Sequence, residues 1–148
     1  MQITQGSIAD AFDAYRRIPE FAPHLKPDRD EFERRLAGDS ALILLAVDAG
    51  ACVGFKLGYD RYHDGSFYSW LGGVVPDRRG RGVAAALLVE QEALVREAGY
   101  RRVYVKTRNR FTAMRVLLAR SRYAIVAVDR DPASGAFDDL RLTLAKAL

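Results

Sequence analysis

The chain has 148 residues, 49% hydrophobic and 28% charged, which gives enough apolar surface for one buried core and leaves no room for a second module. These proportions exclude a disordered, collagen-like or low-complexity chain. The formal charge of +4, from 23 Lys and Arg against 19 Asp and Glu, is too small for the whole-molecule field to select a partner, so the placement of the arginines matters more than their number.

The longest apolar runs, residues 41–47 and 84–89, fall far short of the roughly 18–20 residues of a membrane span, and the amino terminus lacks the basic-then-apolar layout of a signal peptide. We therefore expect a cytoplasmic protein, not associated with membrane, forming one domain over residues 1–148. The lone Cys52 has no internal disulfide partner and reads as a small buried hydrophobe.

Gln2-Ile3-Thr4 reads as a short strand, and Ser7 then caps a helix whose apolar residues Ile8, Phe12 and Tyr15 recur at helical spacing. The proline-rich stretch 18–27 is an irregular connection. Asp28 caps a second helix through Leu36, with Phe32 and Leu36 on one face and Gly38 placed to end it. Residues 41–47 and 52–59 are strands joined by a short turn over 48–51. A polar loop over 60–66, with the turn signal Asp64-Gly65, leads to a strand from Phe67 to Val75 that Pro76 stops. A long helix follows to about Ala98, with Val83, Leu87, Leu88, Leu94 and Val95 as its apolar stripe and Gly99 at its end. Residues 102–107 form a strand and 111 to about 121 a helix. Residues 123–128 and 140–144 close the fold as strands around a turn over 131–135.

One segment carries chemistry. Arg79-Gly80-Arg81-Gly82-Val83-Ala84 opens the long helix directly after a strand and a proline stop. At a helix start several backbone N–H groups lack intrahelical partners, the helix dipole adds about half a positive charge, and glycines let a ligand approach the main chain. Arg78, Arg79 and Arg81 add formal charge, so the segment suits a pyrophosphate. A P-loop is excluded, because no Gly-Lys-Ser/Thr follows to hold a terminal phosphate and magnesium. Gly80, Gly82 and Ala85 fit a dinucleotide string, but the acidic residue expected at the end of the next strand is missing, since that strand ends in Lys106-Thr107.

At these residues the sequence resembles the GNAT superfamily of acyl-CoA N-acyltransferases. The signature is a strand ending in Val-x-Pro and then Arg-x-x-Gly-x-Gly/Ala opening a long helix; Val74-Val75-Pro76 and Arg79-x-x-Gly82-x-Ala84 meet it, and the order of elements agrees along most of the chain. The resemblance implies an α+β fold: a mostly antiparallel sheet of six to seven strands, splayed at a cofactor cleft and flanked by four helices. It also implies that acetyl-CoA lies in the cleft. The N–H groups of Arg79, Gly80, Arg81, Gly82, Val83 and Ala84 would hold the pyrophosphate, and the main chain of Val74 and Val75 the pantetheine arm and thioester oxygen. Asn109 would contact pantetheine. No metal is implied. The reaction implied is direct transfer of an acyl group, most often acetyl, to a primary amine of a small molecule or protein. Homodimers are common among such proteins.

Three departures matter. The tyrosine that many members use to protonate the leaving thiolate falls on Leu118, with Arg122 on the usual glycine and Tyr123 on the final aromatic. The asparagine that opens the same helix falls on Phe111, two residues after Asn109, which can equally be a helix cap. The signature strand offers no glutamate as general base. Strand alternation puts either Tyr68 and Trp70, or Phe67, Ser69 and Leu71, toward the cleft, leaving Tyr68 or Ser69 to order a water. His63 and Asp64 form a candidate acid–base pair, and Tyr59, Tyr62 and His63 a candidate acceptor pocket; His24 reads as a solvated loop residue. The basic stretch 100–111 invites a nucleic-acid reading, but it lacks the glycine–aromatic string of an RNA-recognition motif and reads as a solvated rim. We expect an N-acetyltransferase. The alternative is a catalytically weak or inactive acyl-CoA sensor or partner-binding domain.

Overall fold

A computed structural model describes residues 1–22, 25–131 and 134–148. Its strands are β1 (Gln2–Gln5), β2 (Leu42–Asp48), β3 (Ala51–Tyr59), β4 (Ser66–Val74), β5 (Arg102–Arg108), β6 (Ala124–Arg130) and β7 (Leu140–Ala147). Its helices are α1 (Ile8–Arg16), α2 (Arg29–Arg35), α3 (Val83–Glu97) and α4 (Thr112–Arg120), with a 3-10 turn over Pro76–Arg78. The seven strands make one sheet in the order β1-β2-β3-β4-β5-β7-β6, and every neighbouring pair is antiparallel except β4 with β5.

Local chemistry sets the amino-terminal half. The Ser7 side chain accepts from the Asp10 N–H at the start of α1, and the Asp28 side chain accepts from the Glu31 N–H at the start of α2. The β2–β3 turn is tighter than expected. Asp48 pairs with Ala51, leaving only Ala49 and Gly50, both at positive φ, as a two-residue hairpin turn whose twist matches the strands.

Successive residues of β3 face opposite layers. Phe55 packs edge-on to Tyr15 of α1, with centroids 6.3 Å apart, whereas a Cβ on Gly54 would touch Val83 and Leu87 of α3. Helices α1 and α2 therefore cover one face and α3 the other. On the first face Phe32 is fully buried, edge-on to Phe12 at 5.1 Å and Trp70 at 5.3 Å, a burial worth about 1.5–3 kcal/mol. On the second, Phe67, Leu88, Val95, Val103, Val105 and Leu118 form a separate core.

Strict alternation along β4 does not hold. Leu57 pairs with Leu71 but Gly58 pairs with Ser69, so Trp70 is an extra residue and the strand bulges there. Phe67 and Ser69 face α3, while Tyr68, Trp70 and Leu71 turn toward α1 and α2; Leu71 thus lies opposite to where alternation put it. In the second half β7 runs to Ala147, beyond the expected residue 144, because it pairs with β5 as far as Arg102. Phe111, not Asn109, caps α4; the Asn109 N–H instead donates to the Leu140 carbonyl at 2.8 Å. The turn expected over 131–135 and His24 fall partly or wholly outside the described residues.

Candidate active site

The parallel β4–β5 pairing spans only Ser66–Arg102 to Ser69–Val105. Beyond it β4 continues to Val74 with no strand on that side, and residues 70–73 change from buried to half-buried. The Val75 N–H donates to the Val53 carbonyl at 2.9 Å, so by alternation the N–H and C=O of Val74 turn into the gap. The Val74 carbonyl accepts there from Arg79 Nε at 3.1 Å.

At the gap's outer end Gly80 and Gly82 have φ of +74° and +79°. A Cβ at either position would meet nothing within 4 Å, so glycine is required by backbone conformation rather than by crowding. Gly82 caps α3 without a side-chain hydrogen bond; Ala86 makes the first bond back to its carbonyl, which leaves the N–H groups of Val83, Ala84 and Ala85 free. The charge is distributed less simply than the sequence implied. Arg78 pairs with Asp48 at 3.3 Å and Asp77 at 3.2 Å, and Arg79 makes two bonds to the Glu20 carboxylate at 2.7 and 2.8 Å. The Arg79 bond holds the Glu20 carboxyl below its usual range. Of the three arginines only Arg81 lacks an ion pair among the described residues.

At the gap's inner end the two candidate strand residues part company. Tyr68 is buried on the α1–α2 face among Tyr59 at 5.8 Å and Tyr62 at 6.1 Å, and burial raises its hydroxyl pKa. Tyr62 also meets Tyr104 at 5.8 Å. Two cations lie on this aromatic wall: Arg61, 5.0 Å from the Tyr68 ring, and Arg35, 4.8 Å from the Trp70 ring and bonded to the Tyr59 hydroxyl at 2.9 Å. Ser69 faces α3, 2% exposed, with Oγ unpartnered. Tyr59 and Tyr62 thus share one aromatic wall through Tyr68, but His63 does not join it. It is largely exposed, and its carboxylate neighbour at 3.7 Å is Asp60, while Asp64 is occupied by Ser66, so the His63–Asp64 pair does not form.

Leu118 is fully buried in the second core. The Tyr123 hydroxyl donates to Glu92 Oε1 at 3.0 Å, and burial followed by Glu92 drives its pKa upward, out of the range of a neutral-pH acid. Asn109 Nδ2 reaches the Asp138 carbonyl at 3.3 Å. In the basic stretch Arg108 pairs with Asp131 and Asp139, and Arg110 with Asp139.

Sequence reasoning missed a polar group beneath α3: Lys56, Gln91, Glu92 and Lys146, the first three under 8% exposed. The signal was a lysine inside the apolar run 52–59, where half-buried strands rarely place one.

A sheet parted between its two parallel strands, beside a glycine helix start with free N–H groups, is the α+β arrangement that the resemblance to acyl-CoA N-acyltransferases implies. The sequence model of the acetyltransferase (GNAT) family matches residues 8–120, and the chain belongs to that family. An acetyltransferase of Pectobacterium atrosepticum is 34% identical over 103 residues, covering 67% of this chain and 71% of the relative. One of Sodalis glossinidius is 39% identical over 79 residues, 53% of each chain. Among solved structures, the ribosomal-protein-S18-alanine N-acetyltransferase from Escherichia coli has a TM-score of 0.83 at 16% identity, covering 99% of this chain and 92% of that one. An aminoglycoside 6'-N-acetyltransferase complexed with coenzyme A has a TM-score of 0.75 at 18% identity, covering 99% and 97%. These two likenesses are of fold; the family match makes the protein a GNAT-type acetyltransferase.

Proposed function

We propose that the chain transfers an acetyl group from acetyl-CoA to a primary amine, by direct attack while both substrates are bound. The observation that carries this reading is the gap past Ser69, walled by unpaired β4 main chain and ending on the free N–H groups of α3. That donor set fits a pyrophosphate: the open glycines admit it, Arg81 supplies unneutralised charge, and Val83 and Ala84 supply N–H groups. Gly80 and Gly82 serve by their conformation, and Arg79 by tying the loop to Val74 and Glu20.

Acetyl-CoA, when bound, supplies a thioester whose oxygen gains negative charge as an amine attacks. The chain's part is to orient that oxygen toward main-chain N–H groups of the parted strand, which are fixed in place beforehand. The Val74 N–H and C=O point the right way for the pantetheine arm; the Val75 N–H is committed to the sheet. Asn109 would close the other side. The amine enters from the α1–α2 face, along Tyr59, Tyr62 and Tyr68, where Tyr68 orders water for proton removal. Two fold neighbours are named for amine acceptors, an aminoglycoside and a ribosomal-protein alanine, which supports the amine class and does not choose within it. The test is release of free CoA thiol in the presence of a panel of amines. Binding of CoA with no thiol release from any amine would favour the sensor alternative, which the apolar Leu118 supports.

A further inference from the structure

Lys56 is 7% exposed and lies on the α3 face of β3. Its cross-strand partner is Gly72, in the stretch of β4 that β5 has left. A Cβ at Gly72 would sit 3.6 Å from Lys56 Cγ, so the lysine stem runs across the bare glycine and toward the gap. The charge it faces is Glu92 of α3. Glu92 is itself anchored on the far half of the sheet: Oε2 accepts from Lys146 Nζ at 2.7 Å, Oε1 accepts from the Tyr123 hydroxyl, and Lys146 sits on β7 opposite Val103 of β5. Lys56 on one side and Glu92 with Lys146 on the other therefore straddle the β4–β5 junction.

Lys56 makes no hydrogen bond among the described residues, and its ammonium, which has three donors, keeps a contact with solvent at the end of a largely buried stem. Two buried polar groups, on β4 and α3, are unmet among the described residues. Ser69 Oγ, at the last position paired with β5, has no partner; neither does the Gln91 amide, fully buried one turn beyond Leu87. A largely buried ammonium with free donors, on the same face of the sheet as two unsatisfied buried side chains, marks a place built for a polar reacting group. The group that the acyl-CoA reading brings there is sulfur.

We propose that Lys56 is the catalytic acid that gives its proton to the CoA sulfur, in place of the tyrosine that Leu118 displaces. This deepens the acyl-CoA reading and rests on it. As the amine nitrogen bonds to the acetyl carbon, the carbon–sulfur bond breaks and its electron pair stays on sulfur. The ammonium of Lys56 passes one proton to sulfur, the acetylated nitrogen loses one to solvent, and Lys56 regains one from solvent, so the amine and acetyl-CoA give amide and CoA thiol. Burial pulls the Lys56 pKa down to about 8 against the opposing pull of Glu92. A thiol titrates near 8.5, so donor and acceptor are closely matched, as general acid catalysis favours. The titratable group facing it is Glu92 of α3, whose carboxylate is in turn held by Lys146 of β7 and Tyr123 after α4.

The test uses nitrogen-15 resonance of the lysine side chains, with the Lys56 signal assigned by its loss in Lys56→Met. CoA should move that signal, and desulfo-CoA, in which hydrogen replaces the thiol, should bind without moving it. Lys56→Met is close in size and removes a buried charge, a change folds commonly tolerate. Its turnover should fall by about 10²–10⁴-fold, with the acetyl-CoA KM within about threefold and without the wild-type decline above about pH 8. Equal signal shifts from both ligands would overturn the assignment, as would a folded Lys56→Met variant turning over within about threefold of wild type. If Lys56→Met does not fold, the two ligand titrations of the wild-type signal still decide. Failure of CoA to bind at all would instead overturn the acyl-CoA reading.

Discussion

At the outer end of the cleft, residues 79–82 are exposed, hold left-handed glycines and present backbone donors, with two of the three nearby arginines turned aside by Asp48, Asp77 and Glu20. At the inner end Lys56, Ser69, Gln91 and Glu92 are buried and polar, and they come from three separate elements. The outer end depends on where the main chain goes. The inner end depends on which side chains meet. Substitution should therefore affect the two differently: a changed backbone requirement should cost binding outside, and a changed side chain should cost stability or turnover inside.

The largest expected effect is at Gly82. Gly82→Glu puts a side chain on a residue with φ of +79° and a carboxylate in front of the free N–H groups of α3, so CoA binding should be abolished while the fold persists. Calorimetric titration checks this, and unchanged affinity would break the contrast at its strongest point. Next is Leu118→Tyr. The position is fully buried, and a larger side chain with a hydroxyl should lower stability by about 1–3 kcal/mol in denaturant unfolding, without the turnover gain that an open acid position would give. Tyr123→Phe removes a buried bond to Glu92 and should cost about 1–3 kcal/mol, with turnover within a few-fold of wild type. A hundred-fold fall in turnover with the fold intact would make Tyr123 the acid.

A pH effect separates the ends further. Because the folded-state pKa of Lys56 is lowered to about 8, the unfolded chain binds more protons than the folded one between that pH and the ordinary lysine range, so this group makes stability rise with pH across that window. Denaturant melts of wild type and Lys56→Met at several pH values should differ by that rise, and parallel curves would mean that Lys56 is solvated. The smallest effect is at Arg81→Ala, a modest, salt-sensitive loss of CoA affinity, since one exposed charge goes while the main-chain site stays. A loss equal to that of Gly82→Glu would show that side-chain charge makes the outer end.

The contrast also explains what the sequence could reveal. Helix periods, the Ser7 and Asp28 caps and the glycine spacing at 80 and 82 are local, and each was legible from neighbouring residues. The extra residue Trp70 in β4 was not, because a bulge reverses the facing of later residues without a residue-type signal of its own. Lys56 over Gly72 and Glu92 on Lys146 join positions far apart in the chain, so only the strand register brings them together. Likewise, the sequence placed Arg79 beside the phosphate loop but could not anticipate Glu20, 59 residues away, as its partner.

Thermal unfolding with CoA, and separately with NAD and ATP, tests the central claim that this cleft is a CoA site. CoA at about 100 times its dissociation constant should stabilise the protein by about 2.7 kcal/mol, and NAD and ATP should do far less. No shift with millimolar CoA or acetyl-CoA, alongside a shift with NAD or ATP, would contradict the account.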